Sequence, residues 1–129
     1  MFKDTKAFSG FAVDDLDAAR EFYGGVLGLD VTTEEMGLLT LQLAGDRPTI
    51  VYPKADFEPA TYTILNFPVD DIDAAVDELV AKGVTMTRYP GFEQDERGIS
   101  RNEYGPPIAW FRDPAGNILA VLEAEGPGA

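Results

Sequence analysis

The side chains best able to carry out acid–base chemistry are carboxylates in one glycine- and proline-rich segment. Residues 90–107 contain four of them, on Glu93, Asp95, Glu96 and Glu103. Paired carboxylates can transfer protons when they are buried. Here they flank Arg97 and Arg101 in a polar stretch, which favours a solvated loop. A segment of this length without regular structure is usually functional or mobile in a compact domain.

The chain has no histidine and no cysteine. Disulfides, thiolate chemistry and zinc–sulfur sites are therefore excluded. The commonest metal ligand and general base is absent as well. Ser9 has no histidine to activate it, and a serine–lysine pairing has no recognisable motif.

Trp110 and Arg112 are the other candidates for a functional site. In a strand over residues 108–112, alternation places Ile108, Trp110 and Arg112 on one face. Trp110 either contacts a ligand or packs in a core or dimer interface, since tryptophan often does both. Arg112 either offsets negative charge of this acidic protein or binds an anionic group of a ligand.

A repeated segment organises the elements that position these residues. Residues 11–19, FAVDDLDAA, return as residues 67–75, FPVDDIDAA, with seven of nine positions identical. Each copy predicts a strand, an aspartate N-cap (Asp14 or Asp15 in the first copy) and an amphipathic helix. Internal similarity of this kind indicates a duplicated unit.

Each half is predicted to form the order strand–helix–strand–strand–strand. In the first half, the strands cover residues 7–13, 29–33, 36–43 and 49–52, and the helix covers 15–27. In the second half, the strands cover residues 61–69, 84–89, 108–112 and 118–123, and the helix covers 71–82. Gly28 and Gly83 are predicted to end the helices, and residues 113–117 to form a turn. We expect one domain over residues 1–129, made of modules 1–57 and 58–129.

The composition limits the classes of partner. The hydrophobic fraction of 45% is ample for a folded core. Ten basic and 23 acidic residues give a net charge of −13, which argues against nucleic acid or an anionic membrane as partner. The charge permits a cationic ligand, although solubility is the simpler interpretation. Without a signal-peptide pattern or an apolar run of transmembrane length, a cytoplasmic location is expected.

Three segments resemble the vicinal oxygen chelate superfamily, which includes glyoxalase I, bleomycin-resistance proteins, fosfomycin-resistance enzymes and extradiol dioxygenases. They are residues 13–23, VDDLDAAREFY, residues 26–29, VLGL, and residues 111–117, FRDPAGN. The resemblance extends over nearly the whole chain. It implies an α+β fold in which two tandem βαβββ modules form a cup-shaped mixed sheet with the helices on the outer face. The function is not implied, because this fold carries unrelated chemistries.

The resemblance also implies where a metal would be held. Enzymatic members bind a divalent ion through the first and fourth strands of each module. The matching positions are Phe8, Ile64, Ala120 and the region 50–52, which offer no carboxylate or imidazole. Hard and borderline cations need oxygen or nitrogen donors. Glu123 is the nearest carboxylate but lies three residues too far along the last strand, so we expect no metal and no cofactor.

The inner face of the implied cup follows from strand alternation. Phe11 and Val13 are expected to face a helix, as are Leu65, Phe67 and Val69. The residues of opposite parity and the neighbouring strands then supply the expected ligand wall, which consists of Phe8, Tyr52, Tyr62, Ile64, Asn66, Trp110 and Arg112.

Three functions are compatible with the sequence. The favoured one is a metal-independent small-molecule binding protein of the glyoxalase/bleomycin-resistance type, which sequesters an antibiotic or metabolite. The net charge favours a cationic or zwitterionic ligand. The alternatives are a lyase, isomerase or dioxygenase with an atypical or metal-free active site, and a structural or protein-interaction dimer. A homodimer is expected, because two-fold pairing is the commonest assembly.

Overall fold

The computed structural model describes residues 1–102 and 105–124. They divide into two compact units, Met1–Pro59 and Ala60–Ala129. Each unit combines one mixed sheet with a helix, which confirms the α+β class and the two-module arrangement. Glu103, one of the four candidate carboxylates, lies outside the described residues.

The first unit is a four-stranded sheet covered by one helix. Its elements are β1 (Ser9–Val13), α1 (Leu16–Arg20), which continues as a π-helical segment (Glu21–Val26), β2 (Asp30–Glu34), β3 (Leu38–Leu43) and β4 (Arg47–Pro53). The strand order is β1-β4-β3-β2, and β1 pairs with β4 in parallel. Phe11 on β1 contacts the ring of Tyr23 at 5.6 Å, so the helix packs on the face that carries Phe11 and Val13, as predicted.

The second unit repeats this plan with one strand fewer. Its elements are β5 (Thr63–Val69), α2 (Ile72–Ala81), β6 (Ile108–Arg112) and β7 (Ile118–Glu123). The strand order is β5-β7-β6, with β5 and β7 parallel. The observed bounds of β6 and β7 coincide with the predicted strands 108–112 and 118–123.

The two copies of the repeated segment have the same local geometry. Asp15 and Asp71 are the N-caps, both with φ −137°, and the Oδ1 atom of each accepts the amide three residues ahead at 3.1 Å. Asp15 is therefore the cap of the first helix rather than Asp14. Gly28 and Gly83 follow the helical segments with φ of +73° and +93°, values that favour glycine over any other residue.

The first helix differs from its prediction because it widens after one turn. The Leu27 amide donates to the carbonyl of Phe22, five residues back, at 2.9 Å. The wider turn keeps the adjacent rings of Phe22 and Tyr23 buried together, with their centroids 5.2 Å apart. Helical periodicity predicts the helix correctly but does not reveal such a π segment.

The predicted strand over residues 84–89 is wrong, because only Thr87 forms a bridge, to Trp110 on β6. The Thr87 amide donates to the Trp110 carbonyl at 2.8 Å. The Gln94 side chain supplies hydrogen-bond partners to the backbone of this segment. Its Oε1 accepts the Tyr89 amide at 2.8 Å, and its Nε2 donates to the Thr87 carbonyl at 3.0 Å. Side-chain hydrogen bonds of this kind replace those of a continuous strand.

The turn between β6 and β7 forms as predicted over residues 113–117. Asp113 and Asn117 are both buried, and the Asp113 carboxylate accepts the Asn117 amide at 2.8 Å and its side-chain Nδ2 at 3.1 Å. Asn117 Oδ1 accepts the Ala60 amide at 3.2 Å. The turn is thereby tied to the start of the second unit. No helix among the described residues is long and apolar enough to span a bilayer.

Replacement of the cap Asp71 by alanine is expected to lower the free energy of unfolding by about 1 kcal/mol. The reason is that the Ala74 amide loses the Oδ1 acceptor of Asp71. Urea denaturation followed by circular dichroism measures the change. Asp70→Ala is the matched control, because Asp70 has the same charge but no capping bond among the described contacts; an equal loss in both variants would contradict the assignment of the cap.

Candidate functional site

The sheet of the second unit has a face that carries α2 and a helix-free face. The Ile72 amide at the start of α2 donates to Oε2 of Glu123 on β7 at 3.2 Å. Glu123 shares its face with Leu119 and Val121, since side chains alternate along a strand. Leu119, Val121 and Ile72 are buried and form the core on this side. We call the opposite face, which carries Ala120, the helix-free face.

The helix-free face brings three of the predicted site residues together. Asn66, Ala120 and Trp110 lie directly opposite one another across β5, β7 and β6. With neighbouring strands about 4.8 Å apart, Asn66 and Trp110 are separated by about 10 Å. Arg112 is on the same face as Trp110, two residues further along β6, and its Nη1 donates to the Gly116 carbonyl at 3.3 Å.

Two aromatic rings that the sequence analysis missed complete this surface. Tyr89 contacts Trp110 edge-on at a centroid distance of 5.4 Å, and Phe92 contacts it at 5.4 Å with the planes tilted by 59°. Tyr89 and Phe92 also contact each other at 6.2 Å. We call these three residues the aromatic cluster. The signal in the sequence was the Pro90-Gly91 pair between two aromatic residues, which indicates a turn that brings the flanking rings together.

Tyr62 and Ile64 are not placed by simple alternation. The pairing of β5 with β7 shifts by one position between Thr63 and Leu65. An irregularity of this kind breaks the period of two on which the shared face of Tyr62, Ile64 and Asn66 was based. Tyr62 precedes β5 and is 69% exposed.

Phe8 and Tyr52 belong to the first unit. Tyr52 lies opposite Ala12, on the face of the first sheet away from the helix, and is exposed. Phe8 precedes β1 and is also exposed. Ser9 lies opposite Thr49 and its hydroxyl is 3.2 Å from the Thr49 hydroxyl, on the face of β1 that carries Phe11 and Val13.

The segment that carries Phe92 is ordered by its own side chains rather than solvated throughout. Gln94 reaches three backbone groups, the third being the Gly98 carbonyl at 2.8 Å. The Asp95 carboxylate accepts the amides of Arg97 and Ile99, each at 2.9 Å. Ile99 is buried, so this part of the predicted loop contributes to the core.

Two arginines connect this segment to α2. Arg97 Nε donates to Asp77 Oδ1 at 2.9 Å. Arg101 Nη2 lies 2.8 and 2.9 Å from the two oxygens of Asp73, and its Nε is 3.4 Å from Asp95. Asp73 and Asp77 are one turn apart on α2, so the arginines attach the segment to a single helix face. The charged groups of these residues thus attach the loop to α2.

The ion pairs shift the carboxylate pKa values downward. The side-chain hydrogen bond from Arg97 holds the pKa of Asp77 below its ordinary value of 3.8. Burial raises the pKa of Asp95, but the amides of Ile99 and Arg97 and the guanidinium of Arg101 outweigh that effect and lower it overall. Both carboxylates are therefore held in the charged form that the arginines require.

Ala120 is the position on this face to which the resemblance assigns a metal ligand. Ala120 is fully buried between Asn66 and Trp110, and its methyl side chain offers no lone pair. Glu123 points to the α2 side, where its carboxylate caps the helix. Within residues 1–102 and 105–124, no group of three or more aspartate or glutamate side chains is placed to hold a metal ion.

The helix side of the second unit has a separate open groove of about 410 Å³. It lies between α2 and residues 84–88, with Val76, Val80 and Val84 among its apolar lining. The ion pair of Asp77 with Arg97 forms part of its rim. Of the candidate carboxylates, Glu96 lines this groove, but none of the seven predicted ligand-wall residues does.

The fold and the sequence together identify the family. A family model described as the Glyoxalase/Bleomycin resistance protein/Dioxygenase superfamily matches residues 8–121. The chain therefore belongs to this superfamily. The comparison with curated proteins found no match.

Several solved structures have the same fold. A glyoxalase family protein from Bacillus anthracis is 19% identical with a TM-score of 0.71, over 97% of this chain and 100% of that chain. A superfamily member from Sphaerobacter thermophilus DSM 20745 is 22% identical with a TM-score of 0.70, over 92% and 97%. TnmS3, an antibiotic binding protein from Streptomyces sp. CB03234, is 23% identical with a TM-score of 0.67, over 92% and 96%. At these identities the likeness establishes the fold.

The attachment of the loop to α2 is expected to weaken in acid. Because the folded pKa of Asp77 and Asp95 lies below the ordinary 3.8, their stabilisation is complete above that value. It is lost as the pH falls through the folded pKa. Arg97→Met should make the free energy of unfolding less dependent on pH below about 4, as measured by urea denaturation across this range.

Arg47→Met is the control for this experiment, because Arg47 makes no ion pair among the described residues. Its free energy of unfolding should depend on pH as that of the wild-type protein does. An Arg97→Met variant with that same dependence would contradict the role given to the ion pair.

Proposed function

We propose that this chain is a metal-independent small-molecule binding protein that holds its ligand against the helix-free face of the second sheet. The observation that carries the proposal is the aromatic cluster, in which Tyr89 and Phe92 meet Trp110 on that face. Trp110 lies opposite the small residue Ala120 on β7, and the polar residue Asn66 lies beyond Ala120 on β5, about 10 Å from Trp110. Apolar and aromatic walls with a few polar groups are typical of ligand sites.

The proposed contacts divide between stacking and hydrogen bonds. An aromatic pair contributes about 0.5–1.5 kcal/mol beyond the area that it buries, which is enough to orient a flat ring without a metal. Asn66 can donate and accept, and Arg112 can hold an anionic group. Tyr62 and Ile64, in the same unit, stay in the proposal as further wall residues, whereas Phe8 and Tyr52 of the first unit remain predictions from the sequence.

Metal independence follows from the chemistry of the side chains. The resemblance assigns ligand positions of enzymatic members to Phe8, Ile64 and Ala120, and all three have hydrocarbon side chains. Oxygen or nitrogen donors are needed for divalent cations. An apolar surface in place of the ligands favours an apolar or aromatic group of the bound molecule over a chelated pair of oxygens.

The proposed ligand is an amphipathic molecule with a flat ring and a positive charge or a zwitterionic character. The net charge of −13 favours this choice. The structural likeness to TnmS3, an antibiotic binding protein, supports an antibiotic or a metabolite held by sequestration. Binding without turnover needs no acid–base pair. Arg97 and Arg101 form ion pairs with Asp73, Asp77 and Asp95.

The proposal is tested by titrating the protein with planar aromatic cations and zwitterions, with proflavine as the first probe. Trp110 is the only tryptophan, so its fluorescence reports on this site alone. We expect quenching that is saturable and unchanged by excess EDTA. Trp110→Ala should weaken binding about tenfold by calorimetry, and Trp110→Phe should restore part of the affinity. Binding that disappears with EDTA, or an affinity unaffected by Trp110→Ala, would overturn the proposal.

We also propose that the protein is a cytoplasmic homodimer. Two-fold pairs are the commonest assembly of soluble proteins. Analytical ultracentrifugation at micromolar concentration is expected to give the mass of two chains, about twice 14.0 kDa. Sedimentation as a single chain would refute the dimer. Recovery in a membrane fraction of lysed cells would refute the location.

A further inference from the structure

Phe92 contacts Trp110 while more than half of its own surface is exposed. The residue is 55% exposed, and its described ring contacts are those with Trp110 and Tyr89. Its amide donates to the Tyr89 carbonyl at 3.2 Å, in a single turn. Gly91, immediately before it, has φ +90° and open space where a Cβ would lie. A glycine of this conformation allows the ring to change position at small cost.

Tyr89 differs from Phe92 in this respect. Its amide is fixed by Gln94 Oε1 at 2.8 Å, and Gln94 also binds the carbonyls of Thr87 and Gly98. Thr87 is itself bridged to Trp110 on β6. Tyr89 is therefore attached to the sheet by a network of hydrogen bonds, whereas the described contacts join Phe92 to that network through one backbone bond, from its amide to the Tyr89 carbonyl.

We propose that Phe92 is a removable cover of the binding surface on Trp110, and that a flat ring of the ligand takes its place while Tyr89 stays. This inference rests on the proposed function. In the free protein the Phe92 ring packs against Trp110, and the ligand competes with Phe92 for that position. Affinity then depends on the ligand stacking better than a phenyl group, which selects fused or extended aromatic systems over single rings.

The charge next to the cover favours a cationic ring system. Glu93 follows Phe92 directly, is exposed, and has no ion-pair partner among residues 1–102 and 105–124. The arginines of the same segment are paired with Asp73, Asp77 and Asp95. Displacement of Phe92 leaves Glu93 free to approach a positive charge on the ligand.

The experiment compares Phe92→Ala, Tyr89→Ala and the control Phe2→Ala, which removes an exposed ring of the first unit. Acrylamide quenching of Trp110 fluorescence, measured without ligand, reports how well the indole is covered. Titration with proflavine reports affinity, and thermal unfolding shows that each variant is folded. We expect Phe92→Ala to increase the quenching and to bind proflavine about two- to tenfold more tightly. Tyr89→Ala should bind it more weakly, and Phe2→Ala should behave as the unchanged protein.

The outcomes separate this inference from the proposed function. If Phe92→Ala binds proflavine more weakly, Phe92 is a fixed part of the wall; the cover is refuted and the proposed function stands. If Phe92→Ala does not change the quenching, Phe92 does not cover Trp110 and the inference is refuted as well. If neither the unchanged protein nor Phe92→Ala binds any planar aromatic probe, the proposed function fails, and the inference fails with it.

Discussion

The parallel pairing of the first strand with the last strand in each unit is the constraint on which the structure depends. β1 pairs with β4 and β5 pairs with β7, so the chain must cross from one end of each sheet to the other between them. Such a crossover needs a long connection, and the helix supplies part of it. The helix covers one face, and the other face receives side chains from every strand of its unit. The candidate site of the second unit lies on the face left by this arrangement.

Local patterns predicted most of this fold. The repeated Val-Asp-Asp motif correctly placed two capped helices, because the cap is a contact between residues three positions apart. The bounds of β6 and β7 were predicted correctly because a turn of defined geometry, residues 113–117, joins them. The strand over residues 84–89 was wrong for a different reason. Its side chains alternate as those of a strand do. The Gln94 side chain, however, forms the hydrogen bonds to the Tyr89 amide and the Thr87 carbonyl that a partner strand would otherwise form.

The candidate site was predictable where it depended on strand parity and not elsewhere. Trp110, Arg112 and Asn66 were placed on one face because β6, β7 and β5 pair in regular register at those positions. Tyr89 and Phe92 were missed, since their contact with Trp110 depends on a turn and on the folding of residues 90–99. The face on which Ile64 lies could not be predicted either. One irregular pairing in β5 changes which side chains share a face, and no residue type in the sequence indicates that irregularity.

The π-helical segment also records a difference between the two copies. Thirteen positions separate the cap Asp15 from Gly28, whereas twelve separate Asp71 from Gly83. A single extra residue in an α-helix would rotate every later side chain by about 100° and move the apolar stripe off the sheet. A π turn accommodates one additional residue within a helix and leaves both of its ends in place. The two copies thus differ by one residue between the cap and the glycine, and Phe22 and Tyr23 lie in the π turn that accommodates this residue.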